Sequence, residues 1–467
     1  MKVTPFILMI CLAIVTLVIT ACQGTSLLSA RTVTTEPAAY DSPSPTISSA
    51  ITPPAPMPAP STPLTIPAQA HLLTNLPAKG EFRQQTSLLA WSPDSAALAY
   101  LAPDEANPLV GTLMLVEFPQ FETPRRLASH AVGDPSWSPD GSRIAFVAFR
   151  PEDQLDTVMV VNADGSDLHD LFPGEAARTD PGTGYKAIGG WLDENGILVM
   201  TNCGSGCIRP LRLDLQHSTS EPVFTAGQEG ARYAWSPSRN YVVVTAGFNP
   251  QIGVAAGPGG EVAWLSGRGV SDPAWERYWT FFGDWAPDSS QFLFLWQPDD
   301  ASEPPALGVW NLETMSGTPV LPGVVAASWS PSGDRIAFLS LGQPRFGANG
   351  TWQGIVGTPD GPNPLGIGVY RWPEKQIITF ISAGEVSVGY RWPDQLEQQL
   401  LKPLWDPTGH LLAYQDGTGA VWILSADDLT QYKLDVAETP IRGLSWSPDG
   451  KKLAIHVSES LKVFSLP

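Results

Sequence analysis

The stretch Trp137-Ser-Pro-Asp-Gly-Ser-Arg-Ile-Ala-Phe-Val147 recurs, with variations, eight times along this chain of 467 residues. The Ser-Pro-Asp-Gly part is typical of a tight turn, because proline fixes φ and glycine accepts positive φ. Positions seven to nine after the tryptophan are apolar in every copy, which predicts a strand buried on both faces. The copies begin at Trp91, Trp137, Trp191, Trp235, Trp285, Trp329, Trp405 and Trp446.

Successive copies are separated by 46, 54, 44, 50, 44, 76 and 41 residues. Repeats of roughly 40 to 50 residues that combine strands and turns are typical of β-propeller blades. Further short apolar segments in the copies supply a third and a fourth strand. The sequence therefore predicts an all-β fold, a β-propeller of eight four-stranded blades over residues 71–467.

The last copy provides three predicted strands before the sequence reaches Pro467. A candidate for its fourth strand lies before the first motif, in His71-Leu-Leu-Thr-Asn-Leu-Pro77. Joining the two ends of the repeat region would remove an exposed sheet edge. We therefore expect this amino-terminal segment to close the ring.

The Trp-Ser-Pro-Asp-Gly motif with its apolar strand resembles the WD-like β-propeller repeats of TolB and related bacterial proteins. The segment Asn162-Ala-Asp-Gly-Ser-Asp167 is similar to the turn between the third and fourth strands in that family. The resemblance covers about residues 71–467 and implies the propeller fold. TolB has six blades and an additional amino-terminal α/β domain, so the resemblance does not imply membership of the Tol–Pal system.

Residues 1–21 have the features of a lipoprotein signal peptide. Lys2 precedes an apolar stretch, Phe6–Ile19, that only Thr16 interrupts, and this stretch is shorter than the roughly 20 residues of a membrane-spanning helix. Ile19-Thr-Ala-Cys22 resembles the lipobox of bacterial lipoproteins, which implies lipid modification of Cys22. An uncleaved membrane anchor is the alternative. Either way, we expect an extracytoplasmic protein held at the cell membrane or envelope.

Residues 22–70 are rich in Pro, Ser, Thr and Ala, as in Pro53-Pro-Ala-Pro-Met-Pro-Ala-Pro60. Such a composition cannot bury enough apolar surface to offset the entropy of ordering, which predicts a disordered linker. Beyond the linker the cysteines are Cys203 and Cys207, in a short glycine-containing segment. In an oxidising compartment a local disulfide is the favoured interpretation, although a redox-active or metal-binding pair is also conceivable.

Charge and motifs argue against several chemistries. With 46 Asp and Glu against 27 Lys and Arg, the formal net charge is −19, which is unfavourable for binding nucleic acid. We find no Gly-x-Ser-x-Gly nucleophile elbow and no metal-ligand spacing among the six histidines. The segment 162–167 could hold calcium, but a hairpin turn is the favoured interpretation. No catalytic residue, metal or cofactor is therefore predicted. Recurring carboxylates in the turns are expected to be structural: Asp94, Asp140, Asp288 and Asp449.

Insertions at 172–188, 201–207, 266–283, 340–366 and 383–402 are predicted to be long loops on one face of the propeller. Long loops on a rigid scaffold often bind ligands. Two of these insertions contain aromatic and arginine side chains, which are frequent at binding hot spots. The candidates are Trp275, Arg277, Tyr278, Trp279, Tyr390, Arg391 and Trp392. The alternative is that these side chains pack against the propeller.

The resulting hypothesis is a monomeric, membrane-anchored lipoprotein that binds a protein, peptide or glycan without catalysis. The alternative is a propeller enzyme, a lyase or a glycan-active hydrolase, with carboxylates in the central channel.

Overall fold

The structure is a computed structural model that describes residues 70–78, 88–104, 106–152, 155–171, 186–204, 207–217, 219–223, 232–245, 252–257, 260–264, 278–298, 305–346, 352–357, 361–387, 400–436 and 440–466. The predicted signal peptide and almost all of the predicted linker lie outside these ranges. Every regular element within them is a β-strand. No helix in these ranges has the length and apolarity needed to cross a membrane.

The first strand, β1 (His71–Pro77), belongs to the last blade and precedes all the motifs. Blade 1 consists of β2 (Leu89–Trp91), β3 (Ala97–Pro103), β4 (Gly111–Glu117) and β5 (Arg125–Ala131), and blade 2 consists of β6 (Ser136–Trp137), β7 (Arg143–Arg150), β8 (Leu155–Asn162) and β9 (His169–Asp170). Blade 3 consists of β10 (Lys186–Trp191), β11 (Gly196–Gly204), β12 (Cys207–Asp214) and β13 (Thr219–Pro222). Blade 4 consists of β14 (Arg232–Trp235), β15 (Tyr241–Thr245), β16 (Ile252–Ala256) and β17 (Ala263–Trp264).

Blade 5 consists of β18 (Tyr278–Trp285), β19 (Gln291–Pro298), β20 (Ala306–Asn311) and β21 (Ser316–Pro322). Blade 6 begins with β22 (Val324–Trp329) and β23 (Arg335–Leu341). A separate hairpin of β24 (Gln343–Phe346) and β25 (Trp352–Val356) follows. Blade 6 is completed by β26 (Asn363–Arg371) and β27 (Gln376–Val386). Blade 7 consists of β28 (Leu404–Trp405), β29 (Leu411–Gln415), β30 (Val421–Ser425) and β31 (Gln431–Lys433). Blade 8 consists of β32 (Ile441–Trp446), β33 (Lys452–Val457) and β34 (Ser460–Ser465), together with β1.

All paired strands are antiparallel neighbours, so each blade is a four-stranded meander. Blades 1 and 2 share one continuous sheet because Ala131 of β5 pairs with Ala148 of β7. The motif turns join the first and second strands of the blades and therefore lie on one face, termed the turn face. The opposite face, with the second-to-third and fourth-to-first connections, is termed the loop face.

Ring closure by the amino-terminal strand is confirmed. β1 pairs antiparallel with β34, with His71 opposite Ser465 and Pro77 opposite Ser460. The sheet of blade 8 thus has the order β1-β34-β33-β32. Leu76 of β1 is buried with residues of blades 8 and 1, so this strand also contributes to the core.

The core lies between the blades. Each hydrophobic cluster among the described residues joins two consecutive blades, and together the clusters follow the whole cycle from blade 1 back to blade 8. At the closing junction, Trp91 and Leu98 of blade 1 pack with Ala454 and Val463 of blade 8. The prediction of an all-β propeller with strands buried on both faces is therefore confirmed.

A repeated hydrogen bond explains why the motif begins with tryptophan. Within the described ranges, six motif indoles donate Nε1–H to the carbonyl of the residue just before the motif tryptophan of the preceding blade. Tryptophan suits this position because it combines a large apolar area with one donor. The bonds are Trp91–Ser445 at 3.1 Å, Trp137–Ala90 at 2.9 Å, Trp191–Ser136 at 3.0 Å, Trp285–Ala234 at 2.9 Å, Trp405–Ser328 at 3.3 Å and Trp446–Leu404 at 3.2 Å.

The turn residue four positions after the tryptophan has positive φ in most copies, as the Ser-Pro-Asp-Gly pattern predicts. The angles are 62° at Ser95, 71° at Gly141, 62° at Arg239, 63° at Ser289, 74° at Gly333, 77° at Gly409 and 71° at Gly450. Two serines adopt this unusual conformation and bond to the preceding blade. Ser95 Oγ accepts from Asp449 N at 2.9 Å, and Ser289 Oγ accepts from Ser238 N at 2.9 Å.

A basic residue six positions after the tryptophan strengthens three of the junctions. Lys452, Arg143 and Arg335 lie over the motif tryptophan of the next blade, 5.7, 5.2 and 5.3 Å from the ring centroid. Each also donates to a turn carbonyl of that blade, at Ser95, Glu194 and Gly409 respectively. This cation–π link was not predicted from the sequence, although the position of these basic residues, six after the tryptophan, was a usable signal.

Deletion of residues 71–77 should lower the melting temperature by at least about 5 °C, because it removes a seven-residue ladder and the buried Leu76. Thermal unfolding followed by circular dichroism measures the change. Removing seven residues of the predicted linker, 53–59, is the matched control and should leave the melting temperature unchanged. Equal melting temperatures for the wild type and the 71–77 deletion would contradict the closing role of β1.

Candidate binding site at the inner strands

The first strand of each blade is the inner strand of the ring. The indole bonds described above run from first strand to first strand, and first strands of neighbouring blades contact each other. In blade 5 this inner strand, β18, is eight residues long and ends at the motif Trp285. Its other end therefore reaches the loop face, at the mouth of the central channel.

Two predicted binding residues belong to this strand. Tyr278 pairs with Pro298, and Trp279 pairs with Gln297. Their assignment to a loop was wrong, because aromatic and β-branched residues from 278 to 282 extend the strand. Their side chains lie outside the part of the chain that the structure describes, so their role in binding stays a prediction.

The other candidates lie outside the described residues altogether. Trp275 and Arg277 fall between β17 and β18, and Tyr390, Arg391 and Trp392 fall between β27 and β28. Each segment connects the fourth strand of one blade with the first strand of the next blade along the chain. The lipidation candidate Cys22 also lies outside the described ranges.

An ion pair links the ends of these two insertions. Asp284 Oδ1 lies 3.5 Å from Lys402 Nζ, and the two side chains are 30% and 42% exposed. Asp284 Oδ2 also accepts a hydrogen bond from Trp329 N at 3.0 Å. Blade 5 is thereby connected to blades 6 and 7 at their inner strands. Tyr278 lies six residues before Asp284, about 20 Å nearer the loop face.

Two further predicted insertions are largely strand. Residues 201–207 form the end of the β11–β12 hairpin, with Gly204 opposite Cys207, so the expected long loop is wrong there. Residues 340–366 contain the β24–β25 hairpin, in which Gln343 pairs with Val356. The length of this insertion favoured the prediction of a loop, although part of it pairs locally as two strands. The side chains of Cys203 and Cys207 are outside the described part, and their disulfide stays a prediction.

The recurring turn carboxylates are structural, as the sequence predicts. Ser138 Oγ donates to Asp140 Oδ1 at 2.6 Å, and Ser142 N donates to the same oxygen at 3.0 Å. Hydrogen bonds from Ser138 and Ser142 lower the pKa of Asp140 to about 2, and the bond from Ser138 has the largest effect. Hydrogen bonds from Ser92 and Ala96 lower the pKa of Asp94 in the same way.

A polar cluster lies at the loop-face end of blade 2. Asp170 Oδ2 lies 3.1 Å from Arg150 Nη1, and Asp170 Oδ1 accepts from Thr157 Oγ1 at 2.6 Å. Both charged side chains are largely buried, at 14% and 20% exposed. Because each carboxylate oxygen has a protein partner, this cluster stabilises the ends of β7 and β8.

The hairpin interpretation of residues 162–167 agrees with the local bonds. Ser166 N and Ser166 Oγ donate to Asp164 Oδ1 at 2.8 and 2.6 Å. Within the described ranges, no three His, Cys, Asp or Glu side chains are grouped closely enough to hold a metal ion. Among the described histidines, His456 is buried at 2% exposure, because it lies in the central strand β33.

Replacement of Asp284 by alanine should lower the free energy of unfolding by about 1–3 kcal/mol, since the N–H of Trp329 loses its acceptor. Lys402→Met is the matched change and should cost less than about 1 kcal/mol, because the ion pair is partly exposed. Urea unfolding followed by fluorescence measures both. Equal losses for the two variants would contradict the assigned role of Asp284.

Known structures share this architecture. The chain is similar to the structure of the Dos1 propeller, with a TM-score of 0.52 and 14% identity, covering 84% of this chain and 95% of that one. It is also similar to the C-terminal WD40 domain of Sif2, with a TM-score of 0.52 and 14% identity, covering 85% of this chain and 99% of that one.

A third similar structure is TolB from Acinetobacter baumannii, with a TM-score of 0.34 and 16% identity, covering 63% of this chain and 65% of that one. No family model matches the sequence, and no curated protein matches it. At these identities the similarity concerns the fold alone. The chain is a β-propeller.

Proposed function

We propose that this protein is a lipid-anchored, extracytoplasmic β-propeller that binds a protein, peptide or glycan at the loop face of blades 5 to 7. It acts by binding and not by catalysis. The site consists of the loop-face end of β18 and the two insertions that flank the inner strands of blades 5 and 7.

The supporting observation is the path of β18. This inner strand runs from Tyr278 to Trp285, with one β-bulge before Asp284, and its Tyr278 end supports a site at the channel mouth. The Asp284–Lys402 pair connects it to the strand that follows the second insertion. Both aromatic insertions are thus attached to the same sector of the ring. Aromatic and arginine residues are typical of binding hot spots.

The inner carboxylates favour binding over the lyase or hydrolase alternative. Asp134 Oδ1 accepts from Leu88 N at 3.0 Å, and Asp284 Oδ2 accepts from Trp329 N at 3.0 Å. Both residues therefore connect neighbouring blades.

The anchoring part of the proposal rests on the sequence. Replacement of Cys22 by serine removes the only thiol of the lipobox-like segment. We expect the wild-type chain to incorporate radioactive palmitate in bacteria and to enter the detergent phase of a Triton X-114 separation, and the Cys22→Ser variant to do neither. Palmitate labelling that survives this substitution would contradict lipidation at Cys22.

The proposed ligand binding at the loop face is tested by applying the full-length chain, in detergent, to peptide and glycan arrays. The double variant Trp275→Ala/Trp279→Ala should weaken wild-type binding at least about tenfold, since each lost aromatic hot spot typically costs more than about 1 kcal/mol. The matched control is Met315→Ala/Leu429→Ala. These two side chains are 38% and 37% exposed, and both lie in third-to-fourth connections on the turn face.

The control variant should bind like the wild type. Loss of binding in the control and its retention in the Trp275/Trp279 variant would assign the site to the turn face. Release of a cleaved product from a bound glycan would instead support the enzyme alternative.

A further inference from the structure

We propose that Lys402 forms a subsite in the central channel that binds a carboxylate group of the ligand. The subsite belongs to the same sector of the ring, blades 5 to 7, so it depends on the proposed function. There it determines the chemical class of the group that the ligand places deepest in the channel.

The ammonium group of Lys402 lies at the wall of the channel. Just after β22, Ser330 N donates to Arg335 O of β23 at 2.8 Å. Successive N–H groups of a strand point in opposite directions, so Trp329 N points away from β23, to the inner edge of the sheet at β22. The Asp284 carboxylate accepts that N–H at 3.0 Å and lies 3.5 Å from Lys402 Nζ. The ion pair therefore spans the channel-side edge of blade 6.

The two charged groups differ in what they can still bind. Each carboxylate oxygen of Asp284 has a protein partner, Lys402 Nζ for Oδ1 and Trp329 N for Oδ2. An ammonium group has three N–H donors, and the Asp284 carboxylate lies on one side of it. Because the Lys402 side chain is 42% exposed, its other donors are accessible to a ligand in the channel. The pair as a whole therefore offers hydrogen-bond donors, which suit an anionic group.

The backbone that carries Lys402 is fixed on both sides. Ser328 Oγ donates to Pro403 O at 2.6 Å, in a buried bond. Leu400 packs against the cluster between blades 6 and 7, and Leu401 packs against the cluster between blades 7 and 8. A cation on a fixed backbone loses less freedom when a ligand binds, so this arrangement is preorganised.

Charge favours a carboxylate over a phosphate or a neutral amide. A carboxylate brings one negative charge, which the single ammonium group offsets. A phosphate group brings nearly two charges, and the excess would be repelled by the Asp284 carboxylate on the other side of the ammonium. A neutral amide forms a hydrogen bond with an ammonium group but gains no attraction between opposite charges. The subsite therefore prefers a group with one negative charge.

The position of the pair also limits the shape of the ligand. Asp284 lies about 20 Å from the Tyr278 end of β18, measured along the strand. A ligand that contacts both the channel mouth and Lys402 is therefore elongated, with its carboxylate at the inner end. The carboxyl terminus of an extended peptide and an acidic sugar at the end of a glycan share this chemistry.

Paired arrays test the subsite with the full-length chain in detergent. Each peptide is presented with a free carboxyl terminus and as the amide, and each uronate-terminated glycan is presented as the acid and as its methyl ester. The wild type should bind the free acids at least about tenfold more tightly than the amides or esters. The set that shows this preference, peptides or glycans, identifies the source of the carboxylate. Absence of the preference in both sets would overturn the proposal.

Variants of Lys402 assign the preference to this residue. Lys402→Met should abolish the preference for free acids, whereas Lys402→Arg should retain it, because a guanidinium group keeps the charge and the donors. The matched control is Lys433→Met, an exposed lysine of the outer strand β31 in the same blade, which should bind like the wild type. Circular dichroism establishes that each variant is folded. A preference that persists in Lys402→Met, or that is lost in Lys433→Met, would overturn the proposal.

The Trp275→Ala/Trp279→Ala variant separates the carboxylate subsite from the proposed aromatic site. If the aromatic site is wrong and the subsite is right, this double variant binds like the wild type, and Lys402→Met still loses the preference for free acids. If the aromatic site is right and the subsite is wrong, the double variant loses binding, and Lys402→Met shows the wild-type pattern.

Discussion

The structure depends on the fact that each blade has two apolar faces and can cover neither of them. The second strand of every repeat carries three consecutive apolar residues, such as Leu453-Ala-Ile455, so both sheet faces need a neighbour. An open row of such sheets would leave one face exposed at each end. A closed ring satisfies every face, and the indole-to-carbonyl bonds hold neighbouring inner strands in fixed alignment.

The fold could be predicted because its determinants are local and repeated. A turn motif, a doubly apolar strand and a regular spacing are all visible in the sequence, and counting strands in the last copy identified β1 as the closing strand. The ends of the strands were harder to predict from the sequence. The insertion 201–207 was expected to be a long loop, whereas it forms the end of the β11–β12 hairpin. Strand ends depend on pairing with a neighbour that local sequence does not show.

The features that could not be predicted from the sequence are contacts between repeats. Lys452 and Asp284 each act on an adjacent blade, so their roles follow from the ring and not from their own repeat. Sequence identified aromatic residues suited to binding, but only the strand path of β18 shows that Tyr278 and Trp279 belong to an inner strand.

The direction of β1 has a mechanical consequence. His71 lies opposite Ser465, which in turn pairs with Lys452 next to a motif turn, so the chain that precedes the propeller joins it at the turn face. A pull on that chain acts along the axis of β1, while the hydrogen bonds to β34 run perpendicular to it. The bonds then share the load in shear and do not break one after another. The strand that completes the last blade is thus oriented to withstand tension.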